Sequence, residues 1–475
     1  MLIINPLTMN SRNNMKKLMI FMSAALLLSS CGLYNKYERP DVNAKGLVRD
    51  TVSLTDTLAV ADTTSFGNLP WRSVFTDPQL HTLIQQGLEN NADLLNAALN
   101  VHMVNEALKV AKLAFLPSLA LSPQGTLSSF DGAAANKIYT LPVQASWNID
   151  LFGNLLSAKR SAQMQLIATK DYQTVVKCNV ISGIANLYYT LLMLDRQVEI
   201  ITDMEQLTKE TWEKMKFMHE NRAGYRSTAV QSAEAAYYNV QAQKSELQRQ
   251  VREMENSLSL LLGQPGQTIA RSTFANQSLP SEFSTGVGIQ MLANRADVHA
   301  NEMALAQCFY DVENARSRFY PNITVTASAA FTNNSGAGIV NPGKWLLSAV
   351  GSLVQPIFQH GQLVAGLKVA KDKYEQAFNI WQNSVYKAGN EVSNALVSYN
   401  SYDTQSVLDA KRVAVLKKNV EDTRQLMESS SNTTYLEVIT AQSNLLNAEI
   451  DEVSDQFSKM QAVVNLYLAL GGGAK

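Results

Sequence analysis

Apolar positions along the chain follow two alternating periods. From Asp77 to about Asn90, and from Ala92 to Leu116, they recur every three or four residues, which predicts two helices. Asp77 suits the first as an N-cap and Pro78 suits its first turn. Pro117 ends the second. From Ser118 the period drops to two. Strands are predicted over about 118–130 and 138–152, joined by the turn D-G-A-A-A-N. In the second strand Ile138, Thr140, Pro142, Gln144, Ser146 and Asn148 share one side, and Trp147 and its neighbours the other. Pro142 argues against a simple central strand, because it cannot donate to a ladder. Asn154–Arg222 then returns to helical spacing, with Leu187, Leu191, Leu194, Val198 and Ile201 forming a short heptad seam. At ~1.5 Å per residue this helix is roughly 105 Å long. Gly224 is placed to end it in the left-handed conformation, and a return helix, Thr228–Leu262, is closed by Gly263 and Pro265.

The pattern then occurs again. Pro321 follows Pro117 at a shift of 204 residues (321 − 117), and A-D-V at Ala296–Val298 follows A-D-L at Ala92–Leu94 at the same shift. Strands are predicted over about 322–331 and 345–358, a long helix over Gln362–Ser429, a turn at Asn432 and a last helix from Tyr435 to Leu470. Asn432 stands 208 positions after Gly224 (432 − 224), and Asn is the next-best residue for a left-handed turn. Matching prolines and matching strand pairs indicate an internal duplication. The predicted layout is a first repeat over 71–265, a connector over 266–289 and a second repeat over 290–471.

Composition narrows the class. Forty Lys and Arg nearly cancel 41 Asp and Glu, so nothing marks a nucleic-acid partner. No run of about 18 apolar residues occurs, so no helical membrane span is predicted. Lys16 and Lys17 followed by the short apolar run Leu18–Leu28 form a signal peptide, assigned to residues 1–30, with Met1 or Met15 as its start. L-S-S-C-G at Leu28–Gly32 resembles the bacterial lipobox, which implies lipidation at Cys31. Residues 31–70 then read as lipid anchor and extended linker. Cys178 and Cys308 fall inside helical patterns, as small core residues or as a disulfide pair. The five His have no metal-ligand spacing, and no phosphate loop, H-E-x-x-H or G-x-S-x-G occurs. No cofactor, metal or catalytic activity is expected, and a partner must supply any energy for transport.

Each repeat supplies strands long enough to cross an outer membrane. Two strands per repeat leave open edges, which lipid does not tolerate. Strands that span must therefore be shared among chains. Two chains give eight strands, too few for much of a channel, and three give twelve, enough for a pore. Aromatics near the strand ends, Phe130, Tyr139, Trp147, Phe331, Trp345 and Phe358, suit either interfacial girdles or the core of a soluble β-domain.

Five stretches, in order and at their spacing, carry a family resemblance: Cys31 in its lipobox, D-P-Q-L at Asp77–Leu80, N-I-D-L-F-G at Asn148–Gly153, Q-P-I-F-Q-H-G-Q-L at Gln355–Leu363 and Y-L-E-V-I-T-A-Q at Tyr435–Gln442. Over about Trp71–Gly471 the chain resembles outer-membrane efflux proteins of the TolC superfamily, in the NodT-like lipoprotein branch serving RND-type tripartite pumps. The resemblance implies a mainly α fold with a membrane β-barrel. A homotrimer would form a 12-stranded barrel continued by a 12-helix periplasmic α-barrel, with the connector in an equatorial belt. It implies a passive efflux channel in the bacterial outer membrane, working with a periplasmic adaptor (membrane fusion) protein and an inner-membrane RND pump. A type I secretion duct is the nearest alternative, and a non-pore coiled-coil adaptor lipoprotein a further one.

In that family the gate lies where the hairpin tips converge. By position Leu436 matches an apolar ring residue and Glu437 an acidic one; Thr440 stands where a second acid is usual. Glu437 is otherwise a solvated helix face residue. Arg424 and Glu428 are candidates for bracing the closed state.

Overall fold

The computed structural model describes residues 35–41, 66–129, 131–221, 226–280, 295–332, 345–429 and 435–474. Cys31, Gly224 and Asn432 lie outside the described residues, as do the signal peptide and most of the predicted linker. The elements are α1 (Trp71–Val74), α2 (Pro78–Asn90), α3 (Ala92–Leu113), β1 (Ser118–Leu121), β2 (Gln124–Ser128), β3 (Asn136–Ile149), α4 (Asn154–Asn221), α5 (Ser227–Leu261), α6 (Ala296–Ser317), β4 (Asn322–Thr332), β5 (Trp345–Val354), α7 (Gln362–Ser429) and α8 (Tyr435–Ala469). Helices of 22, 68 and 35 residues follow one another in that order in each half. The chain divides into two compact units. One holds residues 100–170 and 300–382 with the N-terminal segment; the other holds 43–99, 171–299 and 383–475.

The first unit carries the sheet, in the order β1-β3-β4-β5, with β2 pairing β3 beyond β1. All pairs are antiparallel. The predicted first strand is therefore two short ones, broken at Ser122–Pro123, and β3 is central after all. Its proline is tolerated for a definite reason. A strand residue points its N–H and C=O to one side. The Pro142 carbonyl accepts from Ser122 N–H at 3.2 Å, so the missing N–H also faces the break and not the β4 ladder.

Register sorts the side chains into two faces. Opposite pairs such as Leu121–Val143, Leu141–Phe331, Trp147–Val325 and Ile323–Leu353 put apolar residues on one face. Thr140, Gln144, Ser146, Asn148, Thr324, Thr326, Ser328 and Ser352 occupy the other. The apolar face is uncovered: Leu119 and Leu347 are each 76% exposed and Leu353 65%. Among the described residues it is not the core of a soluble β-domain. Among the described residues, neither β1–β2 nor β5 has a partner on its outer edge.

The second unit is built round α4. A wide face is buried, beyond the predicted seam: Tyr188 and Tyr189 lie deeper than Leu187 and Val198. One stretch of α4 is apolar enough to cross a membrane by length and composition without being an unbroken apolar run; more than half of it is buried inside the protein, which accounts for its apolarity. Asp77 caps α2 by accepting from Gln79 N–H at 2.8 Å. It also gathers the connector, accepting from Tyr188 Oη (2.6 Å), Gln277 Nε2 (2.9 Å) and Ser272 Oγ (3.1 Å). Burial opposes its charge, but these hydrogen bonds outweigh burial and hold the carboxyl below its usual range. Gly263, at φ +68°, ends α5 where a Cβ would meet the Asn90 carbonyl oxygen at 2.5 Å. Cys178 and Cys308 are both free thiols, and burial pushes Cys178 up to about 11.

Candidate gate at the helical tips

α4 with α5, and α7 with α8, are antiparallel hairpins. Side-chain partners step in opposite directions along each pair: Glu205–Lys244 (2.8 Å) and Trp212 stacked on Tyr237 (5.6 Å) in the first; Asp403–Lys459, Arg412–Asp451 (2.8 Å) and Lys417–Glu449 (2.9 Å) in the second. At their ends all four helices meet. Met215 of α4, Ala233 of α5, Met427 of α7 and Val438 of α8 form one buried cluster, flanked by Trp212, Val230, Tyr435 and Ile439. Further along, Ile201, Met204, Val240, Val413, Val420 and Leu445 form the next. Thioethers and small residues fill the irregular space where four helices converge.

This packing fixes which face of α8 remains free. Val438, Ala441, Gln442 and Leu445 point inward. Leu436 (61% exposed), Glu437 and Thr440 therefore share the exposed face. The structure thus brings together the three predicted residues on one side of the first helical turns. Arg424 pairs not within its own hairpin but with Glu210 of α4, at 3.6 Å. Glu428 lies in the last turn of α7, with its side chain outside the described part.

Sequence reasoning missed two partners. Glu210 is one. The other link is Gln442 Nε2, which donates to Thr211 Oγ1 at 2.8 Å inside the tip. Gln442 closes the quoted motif, so its position was visible, but nothing in the motif names a residue of α4. Among the described residues no group of three or more His, Cys, Asp or Glu is arranged to hold a metal ion.

The fold is that of solved outer-membrane channels. The chain superposes on the outer-membrane channel OprN with a TM-score of 0.83 at 20% identity, covering 93% of this chain and 99% of that one. For the open-state outer-membrane channel MtrE of Neisseria gonorrhoeae the TM-score is 0.80 at 23% identity, covering 93% and 98%. The sequence model described as outer membrane efflux protein matches residues 83–264 and again 288–472, so the chain belongs to that family. Among curated relatives, cation efflux system protein CusC of Escherichia coli is 26% identical over 455 residues, covering 94% of this chain and 98% of that protein. Toluene efflux pump outer membrane protein TtgI of Pseudomonas putida is 26% identical over 473 residues, covering 95% and 97%.

Proposed function

We propose that the protein is a passive outer-membrane duct of a tripartite efflux system, passing small toxic molecules from the periplasm to the outside. The observation that carries this is the sheet: one exposed apolar face, one polar face and two open edges. Lipid accepts the first only if the edges are closed. Three copies close them, giving twelve strand lanes with the polar face lining the lumen and twelve helices continuing the wall. The two halves of each chain are duplicated repeats, supported by the recurring helix lengths and the two separate family matches. Cys31 carries lipid, and adaptor and inner-membrane RND pump complete the machine. The chain itself is no enzyme. The relatives' names span cations and toluene, as suits a duct whose wall does not select cargo.

The closed gate is the exposed face of α8. Leu436 from each copy narrows the mouth by apolar contact. Three Glu437 carboxylates around one axis attract cations and repel one another. Arg424–Glu210 and Gln442–Thr211 are polar links that hold the second hairpin against the first, and opening requires them to yield. The test is planar-bilayer conductance of the heat-modifiable trimer. Leu436→Ala with Glu437→Gln raises the closed-state leak and weakens cation preference. Unchanged conductance in the double variant removes the gate from this face.

A further inference from the structure

The described strands carry one charged side chain, Lys137, at the end of β3 that lies away from α4. At the helix end of the sheet the composition changes within a few residues. The links between strands and helices are aromatic and apolar. Phe152 stacks on Tyr320 at 5.1 Å, and Ile357 and Phe358 are 95% and 77% exposed. Just beyond these links stand Lys112 of α3, Lys159 and Arg160 of α4 and Lys371 of α7. Each lies one to nine residues from the helix end that adjoins a strand. Nine residues rise ~14 Å, so the four cations occupy one level.

Contacts chain the four together, starting from the apolar face of the sheet. Trp147 of that face donates its indole N–H to the Phe115 carbonyl at 2.9 Å. The Lys159 ammonium sits over the Phe115 ring, 5.8 Å from its centre. Lys112 is one turn before Phe115, whose N–H reaches the Lys112 carbonyl at 3.5 Å. The Arg160 guanidinium covers the Tyr310 ring at 5.6 Å. Next to Tyr310, Phe309 meets Tyr374 of α7 at 6.5 Å, one turn from Lys371. Arg318 stands elsewhere, in a cavity shared with Asn148 and Asn322 of the polar face.

Their charge is not balanced within the chain. Among the described residues none of the four pairs with a carboxylate. Carboxylates nearby are already engaged: Glu106 by Lys109 at 2.6 Å, Glu302 by Arg39 at 2.6 Å and Glu313 by Arg316 at 2.5 Å. Asp372 is exposed and points about 100° round α7 from Lys371. Arg160 also donates Nη1 to the Asn35 carbonyl at 3.2 Å, a neutral acceptor that leaves its charge uncancelled. Unpaired cations one level beyond an apolar face and its aromatic border stand where phospholipid phosphates lie.

We propose that Lys112, Lys159, Arg160 and Lys371 form a basic collar that binds the phosphates of anionic phospholipids in the leaflet on the helix side of the sheet. The collar fixes the depth of the strands and gives this leaflet a headgroup preference. It rests on the membrane-strand reading above; the unpaired cations themselves do not.

The test uses the full chain in vesicles of phosphatidylcholine and phosphatidylglycerol in equal parts, with the acyl chains of one lipid or the other brominated. Quenching of Trp147 fluorescence, taken as the difference from Trp147→Phe, reports which lipid stands beside the collar. Phosphatidylglycerol is preferred about fivefold. Lys112→Gln with Lys371→Gln brings the preference below about twofold. Neither side chain packs on a ring, so the fold persists. Lys411→Gln with Lys418→Gln, farther along α7, leaves the preference in place. Equal quenching by the two lipids in the unaltered protein overturns the collar, as does a preference that survives Lys112→Gln with Lys371→Gln. A preference abolished by soluble glycerol phosphate assigns the cations to a dissolved anion and overturns the lipid partner. No quenching of Trp147 by either lipid overturns the membrane-strand reading, and the collar with it.

Discussion

The two hairpins have the same lengths but are held by different chemistry. At the root of the first, Arg271 joins both helices, with Glu255 of α5 at 2.7 Å and Asp195 of α4 at 2.5 Å. At the root of the second, Arg295 donates to the Ala469 carbonyl of α8 at 3.0 Å and pairs with Glu391 of α7 at 2.7 Å. The buried partner is inverted: the Glu255 side chain is 4% exposed in one, the Arg295 side chain 9% in the other. Midway the contrast is sharper. The first hairpin places Ile201 and Leu247 against an apolar core. The positions 208 residues later are Asp409 and Asp455, which share a hydrogen bond between rungs of ion pairs. An apolar contact is indifferent to pH and to small rotations, whereas a carboxyl pair is sensitive to both. The second hairpin thus carries a pH-sensitive carboxyl pair at a level where the first carries apolar side chains.

The largest test of that contrast is Arg271→Met. It leaves the buried Glu255 carboxylate with only the longer contacts to Arg252 (3.7 Å) and the Ile269 N–H (3.4 Å), and costs up to about 3–5 kcal/mol by thermal or denaturant unfolding. Arg295→Met costs less, about 1–3 kcal/mol, because the carboxylates it releases reach water. Equal losses would erase the difference between the roots.

Next, Asp409→Ile with Asp455→Leu gives the second hairpin the pairing of the first. It stabilises the protein at neutral pH by about 1–3 kcal/mol. The single variant Asp455→Asn tests the proton. Burial, the Asp409 hydrogen bond and the charges of Asp409 and Asp451 push Asp455 up to about 6, against the pull of Arg412. From α4 the side chain bonded at this level is neutral Gln197, held to Ser454 at 3.0 Å. The unfolded value lies near 3.9. The linked stabilisation is therefore complete below about pH 4 and is lost as pH rises through about 6. Tm falls over that window in the natural protein, and Asp455→Asn removes this part of the fall.

At the tip, Thr211→Val deprives Gln442 of its buried partner and costs about 1–2 kcal/mol, with a coupling energy in a double-mutant cycle with Gln442→Ala. The smallest effect is that of Arg424→Ala. Its pair with Glu210 is partly exposed and contributes under about 1 kcal/mol to stability. Closed-state leak nevertheless rises, since the link joins the two hairpins. A stability loss as large as that of Thr211→Val would make Arg424 a packing residue instead.

The helices were legible because each is long and its period is uninterrupted: α7 spans Gln362–Ser429 and α8 starts at Tyr435, as the pattern predicts. The shared exposed face of Leu436, Glu437 and Thr440 was legible for the same reason, since the three fall together on any helix starting there. The strands were harder. Pro123 broke the first, and Pro142 misled because a proline's tolerance depends on which side its missing donor faces.

The chain's own order of periods thus determined the order of helices and strands, for these are local properties of neighbouring residues. Only the tertiary structure decided that Arg424 reaches Glu210, that Gln442 reaches Thr211 and that Arg39 reaches the buried Glu302. Each of those pairs joins residues more than two hundred positions apart. No spacing rule connects them; they meet because segments that are far apart in sequence pack side by side.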